Sequence, residues 1–149
     1  MSISIIILAK NEDKIIKDTI RNLKKKLKEI DFEIIVIDDF STDNTFDIIK
    51  NLKIKNVFVY KNKLKGVASA IKLGIKFSKK KYICIYMADQ SDDLTDLINY
   101  YKLISNNKID AVFGSRFIEG SKVLNYPKIK YILNRFFNLF VKIIYISDY

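Results

Sequence analysis

Runs of apolar, mostly β-branched residues recur along the chain, and they constrain its fold more than any other feature of the sequence. Five such runs occupy residues 3–8, 32–37, 56–60, 81–87 and 110–114. The stretches between them repeat apolar residues at spacings of three and four, which is typical of helices. The clearest series is Ile16, Ile20, Leu23, Leu27 and Ile30. Because the runs are apolar throughout instead of alternating, we expect an α/β fold whose mostly parallel sheet has helices on both faces.

The pattern changes after Gly114. We expect a loop over residues 115–123 and then one long helix over 126–145, apolar over most of its circumference. Two interpretations of this helix stay open: further elements of a longer protein bury it, or it lies at a membrane interface with its lysines outward. No apolar run approaches the ~18 residues that a membrane span requires. We expect residues 1–149 to form a single domain that is incomplete at its C-terminal end.

The charged residues are mostly basic: 27 Lys and Arg against 17 Asp and Glu give a net charge of +10, and there is no His. The basic residues fit solvated helix surfaces, and they also fit attraction to anionic lipid head groups or phosphates. No known nucleic-acid-binding module is visible, so we expect no nucleic-acid partner. The lone Cys84 lies in an apolar run and is interpreted as a buried small hydrophobe. One Cys permits no disulfide within the chain, which fits the cytoplasm.

Carboxylates follow two of the predicted strands. Asp38 and Asp39 come directly after the second strand, and Asp89, Asp92 and Asp93 follow the fourth. Open α/β sheets bind their ligands beyond the carboxyl ends of the strands. With no His and one Cys, a metal at this edge would have oxygen ligands, which suits Mg²⁺ or Mn²⁺. The sequence therefore predicts a nucleotide diphosphate held through a divalent cation.

Polar and basic residues follow the other predicted strands. Asn11 and Glu12 follow the first, where they are placed to contact a base or a ribose, although Asn11 equally suits a helix cap. Lys65 and Gly66 begin the third helix, whose N-terminus attracts anions. Arg116 follows the fifth strand and suits bidentate binding of phosphate. Neither G-x-G-x-x-G nor G-x-x-x-x-G-K-[ST] occurs, which disfavours dinucleotide-binding and P-loop folds.

Taken together, these segments resemble glycosyltransferase family 2, whose fold is the nucleotide-diphospho-sugar transferase (GT-A) fold. Within the family, the chain looks most like dolichol-phosphate mannosyltransferase and other polyprenyl-phosphate glycosyltransferases. The resemblance extends over essentially all 149 residues. The matching segments are L-A-K-N-E at 8–12 for the family's P-A-Y-N-E, V-I-D-D-F-S-T-D at 36–43 for V-D-D-G-S-x-D, K-G-V-A at 65–68 for G-K-G-x-A, M-A-D at 87–89 for D-A-D, G-S-R-F at 114–117 for G-S-R-[FY], and N-R-F-F-N at 134–138 for S-R-x-x-N.

The resemblance implies an inverting glycosyltransferase that moves a sugar from a GDP- or UDP-linked donor to a polyprenyl phosphate. It implies Mg²⁺ or Mn²⁺ as the cofactor, and peripheral contact with the cytoplasmic face of a membrane. A lipid phosphate is already an anion at pH 7, so this reaction needs no general base, which suits a chain that lacks His. The family's catalytic domain normally continues beyond the point where this chain ends.

The resemblance also implies roles for individual residues. The nucleotide sugar would be bound by Ala9, Asn11, Glu12, Asp38, Asp39, Lys65, Met87, Ala88 and Asp89. The metal would be held by Asp89 and Ser91, and the catalytic residues would be Asp89 and Arg116. The acceptor would be bound by Ser115, Arg116, Arg135 and Asn138.

The chain departs from the family pattern at several positions. Leu8 replaces a Pro, Lys10 replaces a Tyr, and Met87 replaces the first Asp of D-A-D, where it cannot accept a hydrogen bond from ribose. Met87 therefore favours a second hypothesis, a non-catalytic fragment that binds a nucleotide sugar. A further alternative is transfer to a sugar hydroxyl, which requires a carboxylate base such as Asp92 or Asp93. A phospho-receiver domain is disfavoured because no Asp ends the third strand.

Overall fold

The computed structural model of the chain describes residues 2–106, 109–114 and 128–145. The chain forms two compact units, Met1–Val112 and Phe113–Tyr149. The first unit contains β1 (Ser2–Ala9), α1 (Ile16–Lys26), β2 (Asp31–Asp38), α2 (Thr45–Asn51), β3 (Val57–Lys61), α3 (Val67–Phe77), β4 (Tyr82–Met87) and α4 (Leu94–Asn106), and the second contains α5 (Lys128–Tyr145). The first unit thus has the alternating order of strands and helices that the sequence predicts.

A four-stranded parallel sheet in the order β3-β2-β1-β4 forms the centre of the first unit. The register pairs Ala9 with Asp38 and Leu8 with Met87, so the carboxyl ends of these strands lie side by side. The chain proceeds from β1 through β2 to β3, and then crosses back to place β4 on the other side of β1. Parallel sheets bind ligands beyond the strand ends at such a reversal, which here lies between β1 and β4.

The two central strands are buried on both faces, as their continuous apolar runs predict. Ile5 and Ile7 of β1 pack with α1, α2 and α4 on one face of the sheet. Ile6 and Leu8 pack with α3 on the other face. Gly74 of α3 lies so close to the sheet that an added Cβ would collide with the Ile6 side chain. The predicted parallel sheet with helices on both faces is therefore confirmed for the described strands.

The prediction of a fifth strand at 110–114 was wrong, because the structure describes residues 109–114 as irregular. Phe113 is 90% exposed, and Ile109 is exposed as well. The run contains three apolar residues between Asp110 and Gly114. So short a run buries little apolar surface, and strand preference depends mainly on such packing. In the part of the chain that the structure describes, β4 is an edge strand of the sheet.

Cys84 lies on β4 and is partly buried, whereas the sequence predicted a buried residue. Burial, together with the nearby carboxylate of Asp92, raises the pKa of the Cys84 thiol to about 11. A thiol with such a pKa stays protonated near neutral pH and is a poor nucleophile. The expectation that this cysteine is not a reactive group is consistent with that environment.

The second unit is described through its helix α5, Lys128–Tyr145. None of the helices in the described ranges is long and apolar enough to cross a membrane. The loop predicted for 115–123, which includes Ser115 and Arg116, lies outside the described residues.

A buried carboxylate secures the edge of the sheet that is opposite the carboxyl ends of the strands. Glu33 on β2 accepts hydrogen bonds from the Ser4 hydroxyl at 2.6 Å and the Lys79 N–H at 2.6 Å. Ser4 Oγ in turn accepts the Lys80 N–H at 3.2 Å. Both Glu33 and Ser4 are buried. This network attaches the turn between α3 and β4 to the beginnings of β1 and β2.

Replacing Glu33 with Ala should destabilise the protein, because the Ser4 hydroxyl and the Lys79 N–H would lose their acceptor inside the structure. An unpaired buried polar group costs about 1–3 kcal/mol. The free energy of unfolding from urea denaturation measures this loss. Glu29→Ala is the matched control, since Glu29 is exposed and its contact with Lys28 is a surface ion pair. Equal stabilities of the two variants would contradict the role of Glu33.

Candidate functional site

Four loops meet at the carboxyl edge of the sheet, one after each strand. They cover residues 10–15, 39–44, 62–66 and 88–93. Electrostatic coupling connects Glu12 in the first loop with Asp43 in the second and Asp89 in the fourth. Asp39 is coupled to Lys10 and to Lys65. Residues that are distant in the sequence therefore lie together at this edge, next to the reversal between β1 and β4.

Hydrogen bonds join the first loop to the second. Three consecutive backbone N–H groups of the first loop donate to side chains of the second loop, including Thr45, the residue at which that loop joins α2. The pairs are Asn11 N–H to Ser41 Oγ at 3.0 Å, Glu12 N–H to Thr45 Oγ1 at 2.8 Å, and Asp13 N–H to Asp43 Oδ2 at 3.1 Å. These side-chain oxygens fix the path of the backbone that carries Glu12.

Asn11 reinforces this junction through its side chain. Its Oδ1 accepts the Thr42 N–H at 2.8 Å, and its backbone has a φ of 57°, in the left-handed region that Asn tolerates. No side chain caps α1, whose N-cap residue is Ile15. Asn11 is therefore a clamp between the loops and not a helix cap. Its predicted contact with the nucleotide stays a prediction.

The carboxylate of Asp39 joins the second loop to the third. Asp39 Oδ1 accepts the side-chain amide of Asn62 at 2.7 Å and the N–H of Gly66 at 2.9 Å, and Oδ2 accepts the same N–H at 3.1 Å. Gly66 has a φ of 123°, where an L side chain is strained even though the space is open. The sequence assigned Asp39 to the nucleotide but missed these protein partners.

Burial tends to raise the pKa of Asp39, but hydrogen bonds from Gly66 and Asn62, with Lys10 and Lys65 nearby, lower it overall. Asp39 is therefore ionised near neutral pH. Asn62 is buried and also accepts the Ser69 hydroxyl at 3.0 Å. Sequence reasoning did not select Asn62. The signal in the sequence was its position. Asn62 directly follows the third strand, and the other predicted site residues follow the other strands in the same way.

Asp38, the last residue of β2, carries an unexplained oxygen atom. The residue is only 3% exposed, and its Oδ1 has no hydrogen-bond partner among the described residues. By the alternation of a strand, its side chain lies on the same face as Val36, which α1 and α2 cover. Buried polar atoms are rarely left unpaired. This oxygen therefore marks a place for a water or a ligand atom.

The surroundings of Glu12 disfavour its negative charge, whereas those of Asp43 favour it. Burial first, and then the charges of Asp89 and Asp43, raise the pKa of Glu12. Burial also tends to raise the pKa of Asp43, but hydrogen bonds from Thr45 and Asp13 lower it overall. Asp43 is thus stabilised as an anion by protein donors, whereas Glu12 faces two other carboxylates. A bound cation would relieve that repulsion.

The fourth loop positions Asp89 beside the first loop. Asp89 is exposed, and its Oδ1 accepts the N–H of Ser91 at 3.0 Å. The carbonyl of Ala88 accepts the hydroxyl of Thr19 at 2.9 Å, which ties the loop to α1. Gln90 also donates to Thr19 Oγ1 at 3.0 Å. Ala88 is buried, so its contribution to the site is the path of its backbone.

The other two carboxylates of the loop bind backbone N–H groups. Asp92 Oδ2 accepts the N–H of Met87 at 3.0 Å. Asp93 Oδ1 accepts the N–H of Thr95 at the beginning of α4, as a helix-capping side chain does. Hydrogen bonds from Thr95 lower the pKa of Asp93, which makes this carboxylate a weaker base.

The oxygen atoms of this loop fit a weakly held divalent cation. Among the described residues, no three His, Cys, Asp or Glu side chains come together as a metal site. Mg²⁺, however, needs only one or two carboxylates when diphosphate oxygens and waters supply its other ligands. The exposed Asp89 carboxylate and the neighbouring Ser91 hydroxyl meet that requirement. Met87 offers a thioether, which is a poor ligand for such an ion.

The predicted acceptor residues are not brought into this group by the described structure. Ser115 and Arg116 lie outside the described residues. Arg135 and Asn138 lie about one turn apart on α5, in the second unit. Their roles stay predictions.

Comparison with known proteins shows the family to which the chain belongs. Residues 4–148 match the sequence model of Glycosyl transferase family 2. The chain belongs to this family. Among curated relatives, this family 2 chain is 27% identical to a dolichol-phosphate mannosyltransferase from Pyrococcus furiosus over 91% of its length and 39% of the relative's. It is 33% identical to an Escherichia coli UDP-Glc:alpha-D-GlcNAc-diphosphoundecaprenol beta-1,3-glucosyltransferase over 82% of its length and 49% of the relative's. It thus spans less than half the length of these relatives.

Solved structures support the expected fold of this family 2 chain. It superposes on Staphylococcus aureus TarS (residues 1–349), in a structure with UDP-GlcNAc, with a TM-score of 0.59. The match covers 80% of this chain and 39% of the TarS chain at 22% identity. At this identity the likeness supports the GT-A fold alone.

Replacing Glu12 with Gln should stabilise the protein near pH 8, because it removes a charge that faces Asp89 and Asp43. Burial and the two facing carboxylates make the pKa of Glu12 higher in the folded than in the unfolded protein. At a pH above both pKa values, the ionised Glu12 therefore lowers the free energy of unfolding. As the pH falls through the folded pKa towards the unfolded one, Glu12 takes up a proton and the advantage of Gln should disappear. Urea denaturation from pH 8 to pH 4 measures the difference.

The exposed Glu29→Gln variant serves as the control for the loss of one carboxylate. A Glu12→Gln protein that is less stable than the wild type at pH 8 would contradict the proposed repulsion.

Proposed function

We propose that this chain is the donor-binding part of an inverting glycosyltransferase, with its nucleotide-sugar site at the reversal between β1 and β4. The convergence of Glu12 and Asp89 from adjacent strand ends carries this proposal. Family membership supports it, as does the UDP-GlcNAc complex of TarS, which shares the fold.

The nucleoside would lie across the first two loops. Asn11 and Glu12 are on the first loop, and Asp39 begins the second, with further acceptor capacity beyond its bonds to Asn62 and Gly66. The Ala9 backbone is fixed at this position because its carbonyl accepts the Asp39 N–H. The unpaired oxygen of Asp38 lies at the end of β2, directly before Asp39.

The diphosphate would lie between the fourth loop and Lys65. Asp89, with the hydroxyl of Ser91, would hold Mg²⁺ or Mn²⁺ there. When bound, the cation would neutralise charge on the departing nucleoside diphosphate. Lys65 stands at the beginning of α3, whose N-terminal N–H groups also favour an anion. We assign Arg116 to the phosphates as well, on the strength of the family motif alone.

We propose a polyprenyl phosphate as the acceptor. A phosphate oxygen would attack the anomeric carbon from the face opposite the leaving group. The bond from that carbon to the diphosphate oxygen would break, with its electron pair leaving on the nucleoside diphosphate. The name of the Pyrococcus relative supports this acceptor. Ser115, Arg116, Arg135 and Asn138 would bind it, and α5 would lie at the cytoplasmic face of a membrane.

Two alternatives follow from specific observations. The name of the Escherichia coli relative describes transfer to a sugar, which requires a general base. Asp92 and Asp93 are the candidates for that base, although the hydrogen bonds from Thr95 lower the pKa of Asp93 and so weaken it as a base. Met87 favours the other alternative, a non-catalytic protein that binds a nucleotide sugar without turning it over.

Thermal melts with UDP, GDP, CDP and ADP, each with and without Mn²⁺, test the donor site. One diphosphate should raise the stability in a Mn²⁺-dependent way, by about 2.7 kcal/mol at 100 times its dissociation constant. Asp89→Ala should remove the Mn²⁺-dependent part. Asp96→Ala, which removes an exposed carboxylate from α4, should leave it unchanged. A folded protein that responds to none of the four diphosphates would overturn the proposal.

Transfer assays distinguish the acceptors. With the radiolabelled donor that binds, a polyprenyl phosphate should yield a lipid-linked product that is labile to mild acid. Labelling only of a sugar-bearing lipid diphosphate would instead favour a hydroxyl acceptor. Donor binding without any product would favour the non-catalytic alternative.

A further inference from the structure

The basic residues of this chain are concentrated in one continuous segment. Residues 48–88 contain eleven Lys and no Asp or Glu, so the rest of the chain is close to neutral. The segment includes β3, α3 and β4. Among the described helices, α3 packs on one face of the sheet, and α1, α2 and α4 pack on the other face. The segment that carries the excess positive charge therefore includes α3, the helix that covers one face of the sheet.

The outer surface of α3 combines this charge with exposed apolar side chains. Val67 and Ile75 of α3 are 60% and 48% exposed, and Leu64 in the loop directly before the helix is 72% exposed. Lys72 and Lys76 of α3 are exposed as well, and so is Lys79 just after the helix ends. Among the residues that the structure describes, none of these three lysines has a carboxylate within ion-pair distance.

We propose that this outer surface of α3, defined by these six residues, docks on a bilayer of anionic lipid. Apolar side chains beside lysines are typical of helices that lie in the membrane interface, where the apolar groups enter the head-group region and the lysines meet lipid phosphates. Anionic lipids attract each nearby lysine, and no acidic side chain of the 48–88 segment opposes that attraction. Its residues are different from those of α5, on which membrane contact was predicted from the sequence.

Docking through this surface would bring the bilayer close to the candidate donor site. Gly66, directly before α3, is held by the carboxylate of Asp39 in the candidate donor site. A bilayer on the outer surface of α3 would therefore lie alongside the loops that bind the donor. The inference itself does not rest on the proposed function, because it needs only the charge and the exposure of this helix.

Vesicle flotation of the 149-residue chain tests the proposal. Vesicles of phosphatidylcholine with 30% phosphatidylglycerol, a composition chosen as about physiological in charge, should bind the protein, and pure phosphatidylcholine vesicles should bind far less. The double variant Lys72→Glu/Lys76→Glu should weaken binding about tenfold or more, as should Leu64→Ser/Val67→Ser. The matched control is Lys17→Glu/Lys24→Glu, the same change of charge on exposed positions of α1, across the sheet.

Circular dichroism and thermal melts should show that all variants are folded. Equal losses in the α1 and α3 charge variants would overturn the proposal in favour of a general charge effect, and so would wild-type binding that the α3 variants leave unchanged. A wild-type dimer in solution that Leu64→Ser/Val67→Ser converts to a monomer, without vesicle binding, would assign the surface to self-association instead.

Discussion

Hydrogen bonds from backbone N–H groups of one loop to side-chain oxygens of another determine how the carboxyl edge of the sheet is arranged. Parallel strands bring their ends to one edge, but they do not fix the paths of the loops that follow. Here the second loop supplies the acceptors on both sides. Ser41, Asp43 and Thr45 receive the N–H groups of the first loop, and Asp39 receives Gly66 from the third. Removing these oxygens would leave the strands in place and release the loops that carry Glu12 and Lys65.

This arrangement divides the carboxylates of the edge into two groups. Asp39 and Asp43 accept hydrogen bonds from protein donors, which lower the pKa of each despite burial. Their charges are satisfied by the protein itself, and they mainly hold the loops together. Glu12 has its pKa raised by burial and by the charges of Asp89 and Asp43. A cation at the junction of the first and fourth loops would relieve this repulsion, as the proposed function requires, while the second loop provides a pre-formed wall.

The sequence predicts those parts of the structure that depend on local pattern. Ile5 and Ile6 are successive residues of one apolar run, and their side chains enter the cores on opposite faces of the sheet. Only a central strand is buried on both faces, so the run itself predicts that β1 has a strand on each side. Residues 110–114 have the same local character but do not form a strand, because strand formation depends on a partner that a local pattern does not specify. Asn62 and the protein partners of Asp39 escaped prediction for a related reason. Which loop donates to which carboxylate depends on the order β3-β2-β1-β4, and no motif encodes that order.

The separation of charge along the chain bears on the site at the edge of the sheet. Glu12 and Asp89 stand on loops next to the reversal between β1 and β4, whereas Lys65 stands at the beginning of α3. A diphosphate bound through a cation carries negative oxygens that need positive partners, and its cation needs carboxylates. A chain with uniformly mixed charges would offer both kinds of partner only by chance. Here the acid-free segment at residues 48–88 ensures that the third loop is basic, and the carboxylates lie on the first and fourth loops. In the proposed donor site Met87 takes the place of a second carboxylate, and the absence of that negative charge would lower the repulsion against a bound diphosphate.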